Sequence, residues 1–305
     1  MRIPKPGFIG RYSLLNFWIP QSALIRQHPL YRLERQRQGG IALADLSRHS
    51  LSLLAEICAV IVGFPLIVLI YTGNFGAITL AIYDIWSSMW LLVGIVAVIV
   101  LDVAGVWVSV GSINRDRPTM LWNLLRATPL LRWQIILVKH TVAQTRVWNL
   151  VIAILGMRVG VVIIGGGYWV KPLLGAFHHD PVRGIFILYM LLILMAMYIL
   201  EPLWRVRAMV AVGIVISARV QDSFMSVLAG VGSIGFLWLT QGIGLLILLR
   251  FLSHSIAFDL GNGLDGSGLI MAAGLLSIYV AITYTYYNQL RLRCLHRAVK
   301  DAFRE

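Results

Sequence analysis

Six apolar runs, near residues 51–71, 86–110, 147–167, 184–220, 223–249 and 269–287, limit what this chain can fold into. Several exceed the ~18 residues at which a run becomes a candidate membrane-spanning helix. Only 13% of the 305 residues are charged, against about 25% in a soluble domain, and 59% are hydrophobic. Mean hydropathy is +0.81. These values predict an all-α, polytopic membrane protein with about six transmembrane helices, embedded in a lipid bilayer.

A formal charge of +13 raises the question of nucleic acid. The Lys and Arg residues lie between and beside the apolar runs, a distribution better explained by orientation in the membrane. No nucleic-acid partner is expected. Residues 1–50 carry eight cations against Glu34 and Asp45, a local +6, and read as a basic cytoplasmic or interfacial segment. Residues 51–288 form the transmembrane domain and residues 289–305 a basic tail. Six spans put both termini and the basic 112–140 loop on the cytoplasmic side of the plasma (inner) membrane. Cys58 and Cys294 make neither a disulfide framework nor a metal-spaced set. No cleavable signal peptide is visible.

Ionisable residues inside apolar runs are functional candidates by default. Asp102 lies within the second run and Arg158 within the third, where Arg158 is placed to pair with Asp102 or with a partner subunit. Glu201 and Arg205 are spaced i, i+4 for an ion pair. Gly165, Gly166 and Gly167 are expected to end the third span, leaving a connection through Arg183 that holds His178, His179 and Asp180. Without a third spaced ligand these histidines are weak metal evidence, and no metal is expected. The fourth run is too long for one ordinary span. Either it ends near Trp204, or it is a span bent at Pro202 that reaches Ala218. Residues 250–268 read as an external connection; their GxGxxG at residues 261–266 lacks the strand and helix that would frame a nucleotide site.

The loop at 112–140 carries most of the functional information. Met120, Leu121, Leu124, Leu125 and Thr128 fall on one helical stripe. Arg115, Thr119, Asn123 and Arg126 fall on the opposite side, with Trp122 at the border. Pro118 suits a first helical turn, Asp116 favours the positive end of the helix dipole, and Pro129 stops the helix near Ala127. A second helix starts near Trp133. The expected picture is a short amphipathic helix at the membrane surface between two spans.

These residues resemble the first cytoplasmic loop of ABC-2-type transporter permeases. There a Glu-Arg pair is followed by Gly-Thr-Trp-Asp-Leu-Leu, then Thr-Pro-Leu, then a Lys. Asp116 and Arg117 stand at the Glu-Arg; Trp122, Leu124, Leu125, Thr128, Pro129, Leu130 and Lys139 match; Met120, Leu121 and Asn123 depart. His28-Pro29-Leu30-Tyr31-Arg32 with Glu34 is similar to the Asn-Pro-x-x-Arg-Glu of the family's N-terminal elbow helix. Residues 213–218 resemble a Gly-x-x-x-Ser segment at the cytoplasmic end of its fourth span, favouring the longer fourth helix. The resemblance implies that the loop is a coupling helix docking a separate ABC ATPase subunit, with ATP and Mg bound by that partner and no cofactor on this chain. It also implies a second permease subunit, as a homo- or heterodimer. The coupling residues would be Asp116, Arg117, Met120, Leu121, Trp122, Leu124, Leu125, Arg126, Thr128 and Pro129. The family exports lipids, polysaccharides, drugs or peptides.

No G-x-x-x-x-G-K-[ST] phosphate loop occurs, so ATP hydrolysis and enzymatic activity are not expected of this chain. Two other readings compete. A non-transporting structural or accessory subunit would show the departures seen in the loop. An intramembrane enzyme would use Asp102, Glu56 or His140, whose spacing matches no defined chemistry.

Overall fold

The structure, a computed structural model, describes residues 29–36, 43–72, 77–114, 116, 120–127, 131–261 and 267–303, and over these it is helical with no strand. The helices are α1 (Pro29–Gln36), α2 (Leu43–Thr72), α3 (Ala77–Asn114), α4 (Met120–Ala127), α5 (Arg132–Arg146), α6 (Trp148–His179), α7 (Pro181–Arg219), α8 (Ser223–Gly261) and α9 (Ser267–Ala302). Among the described residues, five stretches are long and apolar enough to cross a membrane: Ser88–Asn114, Trp148–Gly166, Pro181–Arg219, Phe224–His254 and Gly268–Ala302. A shorter apolar stretch, Ser52–Ile67, lies within α2.

The third apolar stretch ends at Gly166, within the glycine triplet, but the helix does not end there. α6 runs through the triplet to His179. A mid-helix glycine costs ~1 kcal/mol relative to alanine. A break in an apolar layer leaves backbone groups unpaired at several kcal/mol each, so the helix continues. It stops where a polar cap exists: Asp180 Oδ1 accepts from Val182 N at 2.9 Å and Arg183 N at 3.3 Å, with Pro181 in the first turn of α7. The connection expected at 168–183 is therefore Asp180 alone, and His178 sits exposed on the last turn of α6. By the same logic α8 extends through much of the expected 250–268 connection, and α9 runs without a break past residue 288 to Ala302. Of the two readings of the fourth run, the longer holds: α7 is one helix from Pro181 to Arg219, with Pro202 inside it.

α7 is the central element, packed against α3, α6, α8 and α9, while α2 packs along α6. Without a hydrophobic drive between helices in lipid, small residues set how closely helices approach. A Cβ on Gly213 of α7 would lie 1.9 Å from Ser109 Oγ and 2.9 Å from Val106 O of α3. Gly156 does the same for α6 and α2, where a Cβ would lie 2.9 Å from Leu54 O. At the end of the bundle that carries α4, Asn114 Nδ2 donates to Val220 O at 2.8 Å, filling one of the carbonyls left open where α7 ends.

Candidate functional site

Two polar clusters interrupt the apolar bundle. The first follows from Pro202, which has no N–H to give the carbonyl of Tyr198 one turn earlier. Arg158 of α6 fills that gap, its Nη1 donating to Tyr198 O and, at 3.1 Å, to Glu201 Oε2. Glu201 Oε1 accepts from Arg205 Nη1 at 2.9 Å, the i, i+4 pair its spacing anticipates. Arg205 Nε donates to Asp102 Oδ1 and Oδ2, each at 2.8 Å, and its Nη2 approaches Oδ2 at 2.6 Å. From α8, Trp238 Nε1 donates to Asp102 Oδ2 at 3.0 Å and the indole lies 4.3 Å from the guanidinium carbon of Arg205. Gln241 Oε1 accepts from Arg205 Nη1 at 2.5 Å. From α9, Tyr287 OH bonds to Gln241 and donates to Glu201 Oε1 at 3.2 Å.

Two guanidiniums thus face two carboxylates, and α3, α6, α7, α8 and α9 are tied at one place. Asp102 is 0% and Arg205 2% exposed. Charge balance and multiple hydrogen bonds let such a group of ions persist in the bundle. Arg158 meets Glu201 rather than Asp102. The sequence singles out neither Trp238 nor Gln241, and it places Tyr287 with Tyr279, Tyr284 and Tyr286 in an interfacial belt, whereas Tyr287 is buried at the cluster. Their one legible signal is a polar atom within an apolar run, which they share with many side chains that carry no such role.

The second cluster fixes the 112–140 loop. Lys139 of α5 donates from Nζ to Glu34 Oε1 of α1 at 3.1 Å, to Ser112 O of α3 at 3.0 Å and to Asp116 Oδ2. An ammonium has three N–H donors, and three acceptors take them. All three side chains are buried. α4 occupies the expected place, ending at Ala127, and α5 begins at Arg132, beside the expected Trp133. Trp122 is 5% exposed and Leu125 is buried with it. Phe303, just past α9, packs on Trp122: the two rings lie 5.5 Å apart, and Arg132 sits 5.4 Å from the Phe303 ring. Asn123 and Ala127 are the exposed residues of this helix whose side chains are described. Met120, Leu121, Leu124 and Arg126 lie on α4. Arg117, Thr128 and Pro129 lie outside the described residues.

His140, next to Lys139, is buried with its Nε2 3.1 Å from the carbonyl oxygen of Arg207. Burial first, then the charges of Arg291 and Arg207, push its pKa down to about 3, against a hydrogen bond to Arg207 that acts upward. The unfolded chain takes up a proton near 6.5 and the folded one only near 3, so stability falls as pH drops through that window. Between pH of about 7 and about 5 the unfolding free energy in detergent should fall by ~2 kcal/mol more in wild type than in His140→Gln. Parallel pH profiles for the two proteins would refute this. His140, Asp102 and the exposed Glu56 do not come together: no two of them share a hydrogen bond or ion pair among the described residues. Nor does any group of three or more His, Cys, Asp and Glu side chains there suit a metal ion.

Comparison with protein-family models, curated proteins and solved structures gives no match to this chain.

Proposed function

We propose that the chain is the membrane-spanning permease subunit of an ABC-2-type exporter, driven by a separate ATPase. In this reading α2 supplies the sixth span, α1 is the elbow helix and α4 the coupling helix. Both termini and α4 face the cytoplasm at the plasma (inner) membrane. ATP and Mg bind the partner, a second permease subunit completes the path, and the cargo is a lipid, polysaccharide, drug or peptide.

One observation carries it. Glu34 from the elbow match and Asp116 and Lys139 from the two ends of the loop match meet in one buried ion cluster. A helix that transmits force from a docked partner has to be anchored to the spans behind it, and Lys139 anchors this loop to α1, α3 and α5.

A second reading, a structural or accessory subunit, is favoured by the burial of Trp122 and Leu125 within the chain; among the residues of α4 whose side chains are described, Asn123 and Ala127 are the exposed ones. Copurification separates the two. The permease reading expects a stoichiometric soluble ATPase with the wild-type chain and at least a tenfold loss of it with Ala127→Glu, since a charge set in a desolvated contact without a partner costs more than ~1.4 kcal/mol. Equal recovery of the ATPase by both proteins would sink the coupling role of α4. Several unrelated integral subunits and no ATPase would establish the accessory reading instead.

A further inference from the structure

An open cleft of about 580 Å³ lies between α7, α8 and α9. Met209 and Val212 of α7, Phe236 and Leu237 of α8, and Tyr286 and Leu290 of α9 line it, and Arg219 is the one charged residue of its wall. Arg219 closes α7 at the end of the bundle that carries α4. Its Nε donates to Asp301 Oδ2 at 2.8 Å, and its side chain is 58% exposed. A guanidinium has five N–H donors in a planar fork, so one bond to Asp301 leaves a fork that matches a phosphate. Arg297, one turn before Asp301 on the same face of α9, and Lys300 are exposed at this end, giving three cations with Arg219 against the carboxylates of Asp222 and Asp301.

We infer that this cleft holds an acyl chain of an anionic phospholipid whose phosphate rests on Arg219. The inference does not depend on the transporter reading. The wall is mostly apolar and suits a hydrocarbon chain, while the cation at its end suits a phosphodiester. Basic sites between spans at a membrane face recognise anionic headgroups in this way. A helix of a second copy fits less well. Its apolar side chains would leave the free N–H donors of the Arg219 fork without the anion that a phosphate supplies.

Gly232 of α8 makes the cleft testable without disturbing its walls. It belongs to the lining, and a Cβ added there meets nothing within 4 Å. Leucine at this position therefore enters the cleft while favouring the helix. The experiment is native mass spectrometry of the full chain, with phosphatidylglycerol and phosphatidylcholine of identical acyl chains offered together. Wild type should retain one phosphatidylglycerol with about a fivefold preference, the ratio one membrane-surface cation commonly contributes. Arg219→Gln should retain both lipids equally. Asp301→Asn, which removes the same ion pair but keeps the cation, should hold or raise the preference. Gly232→Leu should lose both lipids.

An unchanged preference in Arg219→Gln, or undiminished retention in Gly232→Leu, would overturn the assignment. Displacement of the lipid by millimolar inorganic phosphate would do so too, because it would show that the cation binds without the cleft. So would loss of a dimer in Gly232→Leu with no change in bound lipid, which would put a second copy over the cleft.

Discussion

Asp102→Leu should lower the unfolding free energy by ~3 kcal/mol or more, while Asp102→Leu combined with Arg205→Met should recover most of that loss. The reasoning is charge counting inside a desolvated cluster. With Asp102 gone, Arg158 and Arg205 share one carboxylate, Glu201, and the cluster holds a net positive charge. With Arg205 gone, two carboxylates share Arg158. With both gone, Arg158 and Glu201 remain as a neutral pair at 3.1 Å. Breaking one member of a buried pair leaves an uncompensated ion, whereas replacing both by apolar groups of similar volume is often near neutral. A residual deficit of about 1 kcal/mol is expected in the double variant, because Trp238 Nε1 loses its acceptor. Reversible unfolding of the four proteins in mixed micelles measures the cycle. Equal losses in the single and double variants would mean that water reaches the pair.

The second large effect is at the loop. Trp122→Ala removes a buried ring that holds Phe303 and the last turn of α9, a truncation that costs ~3 kcal/mol or more in a packed core. At this edge of the bundle the loss should be local. Amide exchange over residues 295–303 should accelerate at least about thirtyfold, the ratio for ~2 kcal/mol of local opening, while the spans keep their protection. Phe303→Ala should reproduce the pattern from the other side of the contact. Unchanged exchange at the end of α9 in both variants would refute the packing. Because Trp122 is committed within the chain, its truncation also makes a poor probe of partner binding, which is why Ala127 serves for that test.

These two sites also show what the sequence discloses. Run length and hydropathy place the apolar helices, since in lipid each must satisfy its own backbone. Pro118 and Pro129 bracket α4, and Pro202 marks the place where a carbonyl goes free. The Glu201–Arg205 pair is legible because its spacing is local. Its partners are not. Asp102 reaches Arg205 across 103 positions and Lys139 reaches Glu34 across 105, and nothing in helical periodicity chooses between Arg158 and Arg205 as the mate of Asp102. The glycine triplet misleads because propensity measured in water is a weak guide where a helix break has no solvent to satisfy it. Trp122 reads as a border residue because the 112–140 segment alone does not reveal that Phe303, just past α9, packs on it.

The unbroken length of α9 has a mechanical consequence. Phe303, against the loop, and Tyr287, bonded to Glu201, are 16 positions apart, about 24 Å along nearly one axis. Between them there is no joint to absorb motion, so the helix acts as a lever. A tilt of ~5° pivoting at the phenol sweeps the far end through ~2 Å, and the same tilt pivoting at the loop carries the phenol as far. A hydrogen bond near 3 Å does not survive a displacement of that size. Any push that moves α4 by the width of a hydrogen atom or two is therefore felt among the ions between the spans.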